Sequence, residues 1–283
     1  MLTRRQFLLG LAGAGVAGAG TVGYGERVEP HWIDVTEKTV SLSPEGAARP
    51  PLRLAHVSDL HASRWAPIPY LRQAFRKILE GKPDLICITG DFFTCREQWD
   101  DAELAHALRD LSTAIPTFAC AGNHDGGPYT AAYEGSRTLD RLNRVLEAAG
   151  VIHLHNQGLR VRLKGQTVRL VGLGDLWNAD CRPDQAFGDV RHRDLLTIVL
   201  SHNPDSKEVL LPYPWDLMVS GHTHGGQCGI PFLGAYLAPV RDKDFIAGLY
   251  DYEGRKLHIT RGVGNLHGVR ILCRPEVSFL TLV

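Results

Sequence analysis

Five short apolar runs in this chain end in the same kind of chemistry, and that recurrence limits the folds open to it. Leu52 to Val57 runs into Ser58-Asp59-Leu60-His61, Asp84 to Thr89 into Gly90-Asp91, and Thr117 to Ala121 into Gly122-Asn123-His124-Asp125. Leu195 to Leu200 runs into Ser201-His202, and Leu217 to Ser220 into Gly221-His222-Thr223-His224-Gly225-Gly226-Gln227. Short, largely apolar runs of this kind suit strands buried on both faces. Ligands of open α/β sheets bind outside the carboxyl ends of such strands, so the residues that follow the runs can converge.

Helical patterns separate the first three runs. Ile68 to Glu80 repeats apolar residues at Leu71, Phe75, Ile78 and Leu79, and Asp101 to Leu111 opens with acidic residues in its first turn. A third helix is predicted over Thr138 to Ala149, stopped by Gly150. The second half is strand-rich. Leu159–Leu163 and Thr167–Gly172 flank a Lys164-Gly165 turn as a hairpin, and Phe245–Tyr252, Leu257–Thr260 and Val277–Leu282 are expected as antiparallel strands. This order predicts an α/β sandwich: two mixed β-sheets packed face to face, with helices outside. A chain of 283 residues, 44% hydrophobic and 22% charged, can bury the core this requires. Lys+Arg and Asp+Glu balance at 31 each, so charge gives no reason to expect specific nucleic-acid binding.

The first 25 residues differ from the rest. Thr3-Arg4-Arg5-Gln6-Phe7-Leu8-Leu9 enters a Gly/Ala-rich apolar stretch with no acidic residue before Glu26. A paired Arg ahead of such a stretch is the pattern of a twin-arginine export signal, with Leu9 where a lysine is usual. Ala17-Gly18-Ala19 offers a cleavage site, and the stretch is nearly long enough to remain as a membrane anchor. Gly13, Gly15 and Gly18 match a dinucleotide-binding fingerprint, but no strand precedes them. The expected organisation is a signal or anchor over 1–25, a proline-bearing connector over 26–51 with a possible edge strand at Ile33–Val40, and one catalytic domain over 52–283. The protein is expected to meet the twin-arginine export machinery and to work in the periplasm, free or anchored.

The run ends supply Asp59, His61, Asp91, Asn123, His124, His202, His222 and His224. His222 and His224 stand two apart, which on extended backbone places both rings on one side. Two carboxylates, one amide oxygen and this many imidazoles exceed the needs of a single ion and suit two ions close together. Nitrogen and oxygen donors without thiolate fit manganese, iron or zinc, with manganese slightly ahead. Two divalent ions bring four positive charges and Asp59 with Asp91 returns two. The remainder would hold a bridging hydroxide and attract an anionic phosphoester for in-line attack at phosphorus.

Asp-x-His, Gly-Asp, Gly-Asn-His-Asp, a lone His and Gly-His-x-His, in this order, resemble the calcineurin-like metallophosphoesterases from about residue 52 to the end. The leader, Gly174-Asp175-Leu176-Trp177, Arg261-Gly262-Val263-Gly264 and Cys273-Arg274-Pro275-Glu276 resemble the exported bacterial phosphodiesterases of the YaeI/YkuE kind. The resemblance implies a four-layer sandwich and phosphodiester hydrolysis. It implies that Asp59, His61, Asp91 and His224 hold one metal, and that Asp91, Asn123, His202 and His222 hold the other. His124 would then protonate the leaving oxygen or bind phosphate, with Asp125 orienting its ring. Relatives of this group also suggest a pyrophosphatase acting on a nucleotide-linked lipid such as UDP-2,3-diacylglucosamine, which an apolar groove beside the metals would favour. A catalytically silent metal sensor is the alternative of another class; the complete ligand set and His124 argue against it. The Glu-x-x-His helices of di-iron oxygen chemistry are absent.

Other residues carry weaker expectations. His56, inside a run, is expected as a packed core histidine, and His153 and His155 as solvated. Arg261, Arg270 and His267 are candidates to line the substrate pocket or bind phosphate, with solvated loop positions as the plainer reading. Trp65 and Trp177 are expected to flank substrate or to pack, and Asp175 to support a ligand or shape a turn. The six cysteines form no C-x-x-C pair, and mostly free thiols are expected.

Overall fold

The computed structural model describes residues 20–42, 50–95, 100–190, 192, 195–229 and 234–283. The Arg4-Arg5 motif and the Ala17-Gly18-Ala19 site lie outside them. Among the described residues, no helix is long and apolar enough to cross a membrane.

Strands β1 (Asp34–Val40), β2 (Leu52–Val57), β3 (Leu85–Thr89), β4 (Thr117–Cys120), β5 (Ile152–His153) and β12 (Glu276–Leu282) form one sheet, in the order β1-β12-β2-β3-β4-β5. The other contains β6 (Gln157–Leu163), β7 (Gln166–Gly172), β8 (Leu196–Leu200), β9 (Leu217–Ser220), β10 (Gly248–Tyr252) and β11 (Arg255–Ile259), in the order β10-β11-β9-β8-β7-β6. Both sheets are mixed, as an α/β sandwich requires. β2, β3, β4 and β5 run parallel, as do β7, β8, β9 and β11.

Side-chain alternation builds the layers. Leu52 and Leu54 of β2, with Leu85 and Cys87 of β3, meet Leu196, Ile198, Leu200, Leu217 and Val219 of the second sheet in a core between the sheets. Their neighbours Ala55, Val57, Ile86 and Ile88 face the other way, into a core shared with three helices. These are α1 (Ile68–Glu80), α2 (Asp101–Ser112) and α3 (Asp140–Ala149). Asp100 caps α2 by accepting from the N–H groups of Ala102 and Glu103, and Gly150 ends α3 in the left-handed conformation at φ 68°. The outer face of the second sheet carries its own cluster around Trp215, Met218 and Phe187.

One expectation changes. Val277–Leu282 does not extend the β10–β11 hairpin. As β12 it enters the first sheet, parallel to β1 and antiparallel to β2. The edge strand expected at Ile33–Val40 is present as β1, which pairs with β12 along its whole length. In consequence, residues 34–40 and 276–282 are locked together.

Candidate metal centre

All five runs become strands whose carboxyl ends meet at one end of the sandwich. The loops leaving β2 and β3 run side by side, with Asp59 N–H donating to Gly90 O, His61 N–H to Asp91 O and Ala62 N–H to Phe92 O, at 2.9–3.0 Å. The turn after β9 closes on them: His222 N–H donates to the Asp59 carboxylate at 3.0 and 3.2 Å. Two glycines permit this approach. A Cβ on Gly221 would stand 1.9 Å from Ser58 Oγ, and one on Gly122 would stand 2.2 Å from Asp91 Oδ1.

Asp59, His61, Asp91, His222 and His224 all adopt positive φ, between 43° and 69°. Left-handed backbone at non-glycine residues costs on the order of 1–2 kcal/mol each, and such strain gathers at functional sites. His222 and His224 therefore do not share a side through extended alternation, as expected; a tight turn places them. Their rings diverge, His224 toward His61 and His222 toward His202.

The structure brings seven of the predicted residues together in contact. His61 Nε2 lies 3.2 Å from His224 Nε2 and 3.4 Å from Asp91 Oδ2. His224 Nε2 lies 3.3 Å from Asp59 Oδ1. On the other side, His202 Nε2 lies 3.2 Å from Asp91 Oδ2, 3.0 Å from Asn123 Oδ1 and 3.1 Å from His222 Nδ1. Asp91 thus stands between the two groups with one oxygen. Its other oxygen accepts the His124 backbone N–H at 2.8 Å, which fixes the carboxylate's orientation. Asp59, His61 and His224 can share one ion, as can Asp59, Asp91 and His202. Asp59 therefore reaches both groups, where a single group was expected.

The imidazoles are aimed by backbone carbonyls. His61 Nδ1 faces Phe93 O at 3.0 Å, His202 Nδ1 faces Thr89 O at 2.7 Å, and His222 Nε2 faces Pro239 O at 2.9 Å. A carbonyl only accepts, so each of these nitrogens carries the proton and the opposite nitrogen presents a lone pair inward. His202 Nε2 and His222 Nδ1 then face each other at 3.1 Å beside the Asp91 carboxylate, and this position calls for positive charge: a proton on His202, or a metal ion in its place. The donor set therefore fits divalent metal ions. Burial holds His61 and His222 down to about 3 and His224 well below its ordinary value, so these rings are neutral, the ligating form. Burial also acts on Asp91 and His202, but their mutual attraction prevails: the carboxyl sits well below and the imidazole well above its usual range.

The ring of His124 borders this cluster, edge-on to His61 with centroids 5.0 Å apart. Its Nδ1 meets Cys95 Sγ at 3.0 Å. Asp125 does not orient that ring. Its Oδ2 accepts from the N–H groups of Asp91 and Gly122, and its Oδ1 from those of Phe92 and Phe93, at 2.7–3.3 Å. Asp125 is the staple that holds the β3 and β4 loops together.

The weaker expectations also resolve. His56 is fully buried between the sheets, its Nδ1 2.9 Å from His258 Nδ1 and its Nε2 2.9 Å from Thr89 Oγ1. His153 and His155 are partly exposed and each has a partner, His153 on Asn143 at 2.8 Å and His155 on Asp180 at 3.0 Å. Arg261 does not point at the cluster but pairs with Glu276 and Asp34, at 3.0 and 2.9 Å. Arg270 is fully buried and donates to the carbonyls of Arg261, Gly262, Gly264 and Cys273, bracing the loop that packs on Asp59. Trp177 stands edge-on to His222 with centroids 4.3 Å apart, and Trp65 packs beneath Gly268. Asp175 accepts from Asn178, whose side chain donates to Asn123 O at 3.4 Å. All six cysteines are free thiols. Cys95, beside His124, and Pro239, behind His222, were missed; neither carries a local signal, because each acts through a contact distant in sequence.

Residues 52–226 match the model of the calcineurin-like phosphoesterases. The chain belongs to that family. It is accordingly a metal-dependent phosphoester hydrolase, and its two six-stranded mixed sheets are the family's fold. It is 38% identical to the phosphodiesterase YaeI of Escherichia coli over 283 residues, covering 100% of both chains. It is 32% identical to the metallophosphoesterase YkuE of Bacillus subtilis over 99% of this chain and 98% of that one. It is 30% identical to the UDP-2,3-diacylglucosamine pyrophosphatase LpxG of Chlamydia trachomatis, over 91% of each.

Proposed function

We propose that this enzyme hydrolyses phosphodiesters at a centre of two divalent cations held by Asp59, His61, Asp91, Asn123, His202, His222 and His224. The observation that carries the reading is the convergence of carbonyl-fixed imidazole lone pairs on two carboxylates. The cations would supply charge neutralisation and an activated water nucleophile; with nitrogen and oxygen donors, manganese, iron or zinc suits the site. The chain's own residues do the rest. Asp91 sits between the two groups, and the His124 N–H keeps it there. The His124 ring, at the border of the cluster, protonates the departing oxygen, with Cys95 in place of a carboxylate at its far nitrogen. The likeness to YaeI supports a phosphodiester substrate.

The test is metal analysis of purified protein alongside hydrolysis of bis(p-nitrophenyl) phosphate. Two metal equivalents per chain and turnover, both lost in Asp91→Ala, are expected. Metal-loaded protein inert to this ester and to other phosphodiesters would sink the reading.

A second reading, a pyrophosphatase for a nucleotide-linked lipid, is favoured by the likeness to LpxG and by an apolar groove beside His224. A screen of such substrates separates the two. Export by the twin-arginine route, to the periplasm or its membrane face, rests on Arg4 and Arg5 ahead of the apolar stretch. Arg4→Lys with Arg5→Lys should leave folded, active enzyme in the cytoplasm; unchanged fractionation would remove that reading.

A further inference from the structure

Beside His224 the surface opens into a groove with apolar walls. Leu237, Pro239, Leu266, Val269 and Ile271 line a cavity of about 390 Å³, and His224 shares its lining. That volume lies in the range of about 300–1,000 Å³ typical of small-molecule pockets. His224 and His267 also line the cavity, at its polar end, while Thr223 and Gln227 are turned to other partners. Thr223 Oγ1 donates to Ile246 O at 2.6 Å, and the Gln227 amide donates to Asn265 Oδ1 and Val269 O, both at 3.1 Å. Away from His224 and His267, apolar contact is what the walls offer. The apolar surface continues outward: Tyr236 is 78% exposed, Leu237 56% and Leu272 68%. Leu237 is itself a wall residue, and Tyr236 and Leu272 adjoin the wall residues Leu237 and Ile271 in sequence.

The wall of the groove is also where the N-terminal segment docks. Arg270 N–H donates to Gly25 O at 2.9 Å, and the Glu29 carboxylate accepts from the N–H groups of Leu272 and Cys273. Residues 1–19, Gly/Ala-rich and apolar after Arg5, lead directly into this docked segment. An attachment through that stretch would hold the groove close to the bilayer, where long-chain amphiphiles reside.

We propose that this groove seats the hydrocarbon chain of the substrate, so that the enzyme selects phosphoesters with a long alkyl or acyl chain over short ones. The inference deepens the phosphodiesterase reading and rests on it. Burial of each methylene contributes up to about a fourfold gain; a partly open groove captures a fraction of that.

The test uses full-length, metal-loaded enzyme with p-nitrophenyl phosphodiesters carrying ethyl, butyl and octyl groups, below their micelle-forming concentrations. The expected result is a rise in kcat/KM of at least about tenfold from ethyl to octyl. Leu237→Asp, at a position exposed enough for the fold to accept the charge, should bring the octyl-to-ethyl ratio toward one; Leu266→Ala should lower it in part. Calorimetric binding of dodecyl phosphate against ethyl phosphate gives a readout independent of turnover, with the same loss of preference expected in Leu237→Asp. Equal kcat/KM across the ester series overturns the groove assignment and leaves the phosphodiesterase reading standing. Absence of turnover on every ester, with dodecyl phosphate still preferred, reverses that outcome. Equal binding of the two phosphates overturns the groove assignment, even if the protein floats with phospholipid vesicles, because the apolar rim would then serve the bilayer and not the substrate.

Discussion

At the scale of single residues, two neighbours in the Gly122-Asn123-His124-Asp125 turn do different work. His124 lends its backbone N–H to Asp91 and keeps its ring beside the cluster. Removing the ring leaves that N–H in place. His124→Ala should therefore retain near-normal metal content and lose about 10²–10⁴-fold in kcat on an alkyl leaving group. The loss should shrink with p-nitrophenolate, which departs without a proton. Metal loss as complete as that of Asp91→Ala would make His124 a ligand. Asp125 is a different case. Each of its oxygens takes two backbone N–H groups, so Asp125→Asn must turn an NH₂ toward two donors in either orientation. An unsatisfied buried group costs about 1–3 kcal/mol. The variant should melt at lower temperature and bind metal more weakly, because the N–H groups of either Asp91 and Gly122 or Phe92 and Phe93 lose their acceptor and the loop that carries Asp91 loosens. Unchanged melting with only a mild kcat defect would restore Asp125 to a role at the His124 ring.

At the scale of elements, the strands and their run-end residues were legible because burial on both faces leaves an apolar run that polar chemistry visibly interrupts. Pairing was less legible. Nothing local in Val277–Leu282 says that it lies between β1 and β2, since partner choice is fixed by long-range packing. The same holds for the aim of His222, set by Pro239 O from a separate loop. Glu276, at the start of β12, shows what the sheet crossing brings. It is buried, and Arg261, Thr36 and the Arg261 N–H all meet its carboxylate. Burial alone would raise its pKa, but Arg261 and these hydrogen bonds bring it from 4.5 to about 2. A carboxyl depressed in the folded state stabilises above its unfolded value and loses that contribution as pH falls through the folded one. The contribution is therefore on the order of 3 kcal/mol above pH about 4.5, fading toward pH about 2. Melting curves should show Glu276→Gln less stable than the parent at pH 6, with the gap narrowing on acidification from about pH 4.5. A gap that does not change with pH would mean that packing, and not charge, is what Glu276 provides.

At the scale of the whole molecule, the centre is a clamp between two sheets. Asp59, His61, Asp91 and Asn123 follow strands of the first sheet, and His202, His222 and His224 follow strands of the second. Below them the sheets meet through an apolar core topped by the His56–His258 pair. Cations held from both sides oppose separation of the layers, and binding to the folded form alone stabilises it by mass action, about 4 kcal/mol at a thousand times Kd. Stripping the protein with a chelator should therefore lower its melting temperature by several degrees, and adding manganese back should restore it. Asp91→Ala, which removes the shared ligand, should melt at one temperature with or without chelator. Asp110→Ala provides a control: its exposed pairing with Arg72 lies on the helical layer, and it should keep the full chelator response. A parent protein whose melting ignores the chelator, while its measured metal content falls to zero, would show that the two sheets hold the site open unaided. The cations would then serve only the reaction and not the fold.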